Sequence, residues 1–199
     1  MSGIYTTKIP TLDTLEDVDI NPSTLSNNDV IQYNSTTREW DNVVLGNPYL
    51  LTIYSSTLSL FNLSINTETD LPFTDVDPYG SASASDWDVP TKVWTCPVSG
   101  LYDFVLQAYG EDQTNDSITG WQSHIQHAPS GSTTFSKIAF GIIYTGDDDF
   151  ASMSHNISRY YVVNAGDKIK ASVTVRVNAA GGQVDFRDQK TYLQIAKLI

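Results

Sequence analysis

A single cysteine, Cys96, sits inside VWTCPVSGLYDF, residues 93–104. A thiol becomes a nucleophile only in an exposed, electropositive setting with a base nearby. Cys96 stands beside Trp94, Pro97 and Val98, the company of a buried, inert thiol. HIQH places His124 and His127 three residues apart. On a helix that spacing could share a metal ion. In a strand it sends the two imidazoles to opposite faces, and no Cys or carboxylate pair nearby completes a ligand set. His155 stands alone and reads as a surface or interface histidine.

GEDQTND (with Glu111, Asp112, Asn115 and Asp116) and GDDDF (Asp147, Asp148 and Asp149) are acidic loops. Calcium takes roughly six to eight oxygens from several directions. Three consecutive aspartates cannot all face one ion, so these loops read as solvated, with calcium at Asp147, Asp148 and Asp149 as the alternative. Asp185 and Asp188 form the one carboxylate pair on the late strands that could suit glycoside cleavage. The chain has no Gly-rich phosphate loop, no Gly-x-Ser-x-Gly elbow and no His-Glu-x-x-His. A non-enzyme is expected, with no catalytic residue, no cofactor and no resident metal.

The elements that must carry these residues are strands. Across 199 residues, hydrophobic types make up 40%, enough for a core, while charged types make up only 17%, below the usual quarter or so. Ser, Thr and Asn fill the difference, and they favour strands and turns over helix interiors. In LYDFVLQAY, Tyr102, Phe104, Leu106 and Ala108 share the better core face. In KIKASVTVRV, Ile169, Ala171, Val173, Val175 and Val177 face one side; Lys168, Lys170, Ser172, Thr174 and Arg176 face the other. Further strand candidates are YLLTIY, LSLFNLSI, LPFTDV, KVWTC, TTFSKIAFGIIYTG, SRYYVVNAG, GGQVDF and TYLQIAKLI. The last is expected to end inside a sheet. No helical period is sustained, so the expected class is all-β, an antiparallel sandwich of jelly-roll type.

Residues 1–48 form a different segment, ahead of a head domain at 49–199. DVIQY and WDNVV predict a small hairpin around the polar turn NSTTRE. So few apolar side chains cannot offset the entropy of ordering the segment alone, so it is expected to attach to something larger. The formal net charge of −12 repels nucleic-acid phosphates and anionic lipid. No apolar run reaches the length of a membrane span, so no membrane insertion is expected. The opening MSGIYTTKIPTLDTLEDVD has no basic stretch followed by an apolar one, so no secretory signal is expected.

WTCPVSGLYDFVLQAYG resembles the signature run of the complement C1q globular-head family, which belongs with the tumour necrosis factor-like jelly rolls. Trp94, Thr95, Cys96, Pro97, Val98, Gly100, Leu101, Tyr102 and Phe104 stand at matching positions. DLPFTDV, with Phe73, is similar to the stretch ahead of that signature. YYVVNAGDKIKASV is similar to the family's strand, Gly-Asp turn and strand, through Ala165, Gly166, Asp167 and Val173. On this resemblance Pro97 ends a strand, Gly100 permits a turn, and Cys96 marks the fold. The resemblance implies three jelly rolls packed around an axis, a homotrimer. Some heads of the family bind calcium near that axis.

The first segment is similar to a short module of viral fibre and structural proteins, through Leu15, Asp17, Val18, Asp29, Val30, Tyr33, Asn34 and Trp40. Leu15, Val18, Tyr33 and Trp40 are its expected attachment residues. Together the two resemblances imply a trimeric virion component, a fibre, spike or capsid decoration, assembled in a host cytoplasm. Its N-terminal segment would join other capsid or tail proteins. Its head would be exposed and would meet a host surface protein or glycan, through loop residues such as Asp112, Asn115, Asp116, Asp148 and Asp149. The alternative is a cellular C1q-like binding module, a lectin or scaffold unrelated to a virion.

Overall fold

The computed structural model describes residues 18–19, 29–34, 36, 39–44, 48–55, 66–112, 118–144, 152–177, 184–186 and 190–198. The chain divides into two compact units, Met1–Asn47 and Pro48–Ile199.

The first unit holds a three-stranded sheet in the order β1-β3-β2, with β1 at Val18–Asp19, β2 at Asp29–Asn34 and β3 at Glu39–Val44. The expected hairpin is β2 and β3, antiparallel, with Tyr33 opposite Trp40. The sequence reading did not foresee β1. It lies parallel to β3 with Val18 also opposite Trp40, so three of the expected attachment residues share one row of this sheet.

The second unit is two antiparallel sheets. One runs β6-β4-β15-β9-β12, with β14 also on β9. These are β4 (Tyr49–Tyr54), β6 (Asp75–Gly80), β9 (Gly100–Asp112), β12 (Ser152–Val163), β14 (Val184–Phe186) and β15 (Tyr192–Lys197). The other runs β7-β8-β13-β10-β11, with β5 also on β13. These are β5 (Glu68–Asp70), β7 (Trp87–Asp88), β8 (Val93–Thr95), β10 (Ile118–Ala128), β11 (Ser136–Tyr144) and β13 (Lys168–Val177). The path from β8 to β15 crosses repeatedly between the sheets, which is jelly-roll connectivity. No helix among the described residues is long and apolar enough to cross a membrane.

Alternation decides which side chains fill the space between the sheets. Tyr102, Phe104, Leu106 and Ala108 of β9 are fully buried, and so are Ile169 and Val173 of β13, with Ala171 and Val175 nearly so. At one end Trp94, Tyr102, Phe104 and Tyr49 form an aromatic cluster, with the Trp94 ring 5.3 Å from Tyr102 and 5.8 Å from Phe104, edge to face. Its polar atoms are satisfied in series: Trp94 Nε1 donates to Tyr49 Oη (2.7 Å), which donates to Asp86 Oδ2 (2.9 Å).

Two expectations shift. Leu71 and Phe73 of LPFTDV are buried but lie outside any strand. The strand begins at Asp75 and carries Pro78, tolerated because β6 is an edge. Gly100 opens β9 and is not among the glycines with positive φ. LSLFNLSI lies outside the described residues.

The two sheets approach one another along β11 and β12, and Gly141 sets the gap. A Cβ at Gly141 would lie 2.2 Å from His155 Cε1 and 2.4 Å from Ile157 Cγ2. His155 is thus half-buried against this glycine rather than freely exposed. Gly141→Val is expected to cost about 2 kcal/mol by overpacking, read as a lower urea midpoint with unchanged slope.

Candidate functional site

The residues nominated by chemistry that the structure describes do not converge. Cys96 is buried, its thiol donates to the Val98 carbonyl (3.2 Å), and burial pushes its pKa up, only partly offset by the Tyr102 hydrogen bond. It is a packing residue. Its backbone does more: Cys96 N–H donates to Asp167 O and Gly166 N–H donates to Cys96 O, both 2.8 Å. These bonds fasten the cysteine segment to the Gly-Asp turn, and Gly166 takes φ +85° there. We expect Cys96 to resist a thiol-disulfide reagent in the native protein and to react fully once urea unfolds it.

His124 and His127 point to opposite faces of β10. His127 Nε2 lies 3.0 Å from Asp167 Oδ2, with its ring 5.2 Å from Tyr161. His124 is buried on the outer side of the sheet. Among the described residues no three His, Cys, Asp or Glu side chains gather as metal ligands. Asn115, Asp116, Asp147, Asp148, Asp149, Asp188 and Leu15 lie outside the described residues. For Asp112 and Asp185 the structure gives strand positions only, at the end of β9 and in β14, with Val184 opposite Asp112 and Asp185 opposite Glu111.

Sequence reading missed a polar network that covers the outer side of β10 and β13. The short strand β5 lies beside β13 with Asp70 opposite Ser172 and Glu68 opposite Thr174. Two-residue periodicity puts both acids on one face. Ser172 Oγ donates to Glu68 Oε1 (2.6 Å). Gln126 Nε2 donates to Ser172 Oγ (2.7 Å) and also to Glu68 Oε1. Lys137 Nζ lies 3.1 Å from Glu68 Oε2 and 3.1 Å from His124 Nε2.

Burial alone would raise the Glu68 pKa. The Ser172 and Lys137 hydrogen bonds, with the Lys137 charge, outweigh it and hold the carboxyl below its usual range. Burial and the Lys137 ammonium lower the His124 pKa against the pull of Glu68, which favours a neutral ring accepting from Lys137.

Ser172, His124 and Glu68 are the residue types of a nucleophilic triad, but their geometry is wrong for one. Both Ser172 Oγ (3.5 Å) and Glu68 Oε1 (3.7 Å) lie on the Nδ1 side of His124, and Ser172 bonds Glu68 directly. A triad needs the ring to bridge hydroxyl and carboxylate through its two nitrogens. Ser172 is also fully buried.

Beside this network lies a cleft of about 400 Å³ lined by Glu68, Asp70, Gln126, Thr133, Phe135 and Lys170. Lys170 Nζ lies 2.9 Å from Asp70 Oδ1 and 4.7 Å from the centroid of the Phe135 ring.

Among the described residues the surface also carries large exposed apolar side chains. On the outer side of β11, Phe140 (67% exposed), Ile142 (51%) and Tyr144 (63%) form a stripe. On the outer side of the other sheet, one transverse row reads Tyr160, Asp103, Ala196, Leu50 and Tyr79, and Val162 and Leu101 pair in the adjacent row. Tyr160, Val162 and Tyr79 are each more than 60% exposed. In the middle of the row, Asp103 Oδ1 is buried without a hydrogen-bond partner, and that burial raises its pKa.

No family model matches the sequence, and no curated protein matches it either. Among solved structures, the chain is similar in fold to Eiger TNF from S. frugiperda (TM-score 0.52, 14% identity, covering 77% of this chain and 94% of that one). It is similarly close to murine APRIL at pH 5.0 and at pH 8.0 (TM-score 0.53, 14% identity, 76% and 99% covered in each case). The fold of the second unit is a TNF-like jelly roll.

Proposed function

We propose that this chain is a non-enzymatic homotrimeric binding protein displayed on a virion, with its jelly-roll head exposed toward a host surface and residues 1–47 joining it to the particle. The observation that carries the oligomer is the pair of exposed apolar patches on opposite outer sides of one sandwich, at β11 and across β12-β9-β15-β4-β6. A two-fold contact needs one self-complementary patch. Two different patches facing apart fit a head-to-tail contact, which closes into a ring. The partnerless Asp103 oxygen within the second patch supports the same reading, since a neighbouring copy can supply the missing donor.

The virion assignment is supported by the resemblance of the first segment to viral fibre modules and by that segment forming a separate small sheet. Sedimentation equilibrium at micromolar concentration is expected to give three times the 21.9 kDa chain mass; a monomer overturns the oligomer. Mass spectrometry of purified particles is expected to find the chain; its absence from particles, with the trimer intact, leaves the cellular binding module.

A further inference from the structure

We propose that the cleft between β5, β13 and the loop joining β10 to β11 binds a neutral sugar unit of a glycan. This rests on reading the chain as an exposed binding head, and it names the place and the ligand chemistry.

The cleft is built before any ligand arrives. Its floor is Gln126, only 6% exposed and fixed by donating to Ser172 and Glu68. Its wall is the loop at residues 129–135, which is hydrogen-bonded at three points. Ser130 N–H donates to Asp167 Oδ1 (2.8 Å), Ser132 N–H to Pro129 O (2.9 Å) and Thr134 N–H to Ser132 Oγ (3.0 Å). Gly131 takes φ +78° to make that turn. A preformed site loses little entropy on binding.

The charge in the cleft cancels locally. Asp70 pairs with Lys170 and Glu68 with Lys137. An anionic ligand would face two carboxylates, and a cation would have to displace two ammonium groups. What remains available is mixed: carboxylate lone pairs, a lysine donor, the Thr133 hydroxyl, the Gln126 amide oxygen and the part of the Phe135 ring that Lys170 does not cover. A sugar offers the complement, hydroxyls that both donate and accept around a ring whose C–H face packs on an aromatic side chain. The volume, about 400 Å³, lies within the range of roughly 300–1,000 Å³ usual for small-ligand sites.

The test is an array of neutral and acidic glycans probed with the full chain, backed by saturation-transfer NMR with individual neutral monosaccharides. Phe135→Ala and Asp70→Asn serve as variants, and the trimer mass of each is checked first. Wild type is expected to retain at least one neutral glycan, with both variants weakened about tenfold or more. Retention of no neutral glycan, retention of acidic glycans alone, or unchanged binding by both folded variants each overturns the cleft. A trimer without sugar binding removes this inference and leaves the oligomer. A monomer that binds sugar does the reverse.

Discussion

Val162→Asp is expected to leave a folded protein that sediments as a monomer. Val162 is 67% exposed in the isolated chain, so a carboxylate there meets water and folding of one copy is unharmed. In the proposed ring the same position would sit in the apolar patch beside Leu101, and every interface would receive one buried, unpaired charge. An uncompensated buried charge costs about 3–5 kcal/mol, which weakens each contact by roughly a hundredfold to several thousandfold. Val89→Asp is the control. Val89 is also exposed, at 40%, but it lies in the turn between β7 and β8, at the edge of its sheet opposite β11, and outside the rows that form the second patch. That variant is expected to keep the trimer mass. If both variants behave alike, the patch is not the interface.

Asp167→Ala is expected to cost about 3–5 kcal/mol at neutral pH. Asp167 is 4% exposed and accepts from Ser130 N–H (2.8 Å), Asn164 N–H (3.0 Å) and His127 Nε2 (3.0 Å). Alanine strands all three donors. Burial by itself would raise the carboxyl pKa, but the His127 hydrogen bond and the two backbone N–H groups outweigh it, and the folded value lies below the ordinary one. A folded pKa below the unfolded one means that the stabilisation is complete above the unfolded carboxylate value of about 3.9. It disappears as pH falls through the folded value. The gap between wild type and variant, measured by urea unfolding at one protein concentration, should therefore be constant from pH 7 to about pH 5 and narrow below about pH 4. A gap that stays constant to the lowest pH would assign the loss to packing instead.

Strands whose two faces differ in polarity were legible in the sequence. The face of β9 holding Tyr102, Phe104 and Leu106, and that of β13 holding Ile169 and Val173, follow from period-two alternation alone. So does the β2–β3 hairpin, where a polar turn separates two short apolar runs. Part of what stayed hidden has no such period. β5 and β7 have three and two residues, too short to alternate, and they exist because β13 and β8 offer edges to pair with. The polar cleft was missed because its residues come from β5, β10, β13 and one loop, and local sequence reading cannot bring Glu68 to Gln126. The one available signal was Glu68 and Asp70 at i and i+2, facing the outward Lys170 of a strand already recognised. The apolar patches were hidden for a related reason: Phe140 and Ile142 alternate as a core face would, and only the paired sheet shows that this face turns outward.

β15 lies between β4 and β9, strands that are made long before it. While the chain emerges from the ribosome, β4 and β9 each present an unpaired edge, and their sheet stays split until residues 192–197 are free. Contacts of such long sequence separation fold slowly. Incomplete chains expose sticky strand edges to each other and to chaperones. Chains cut short ahead of residue 192 should therefore be insoluble fragments rather than shortened heads.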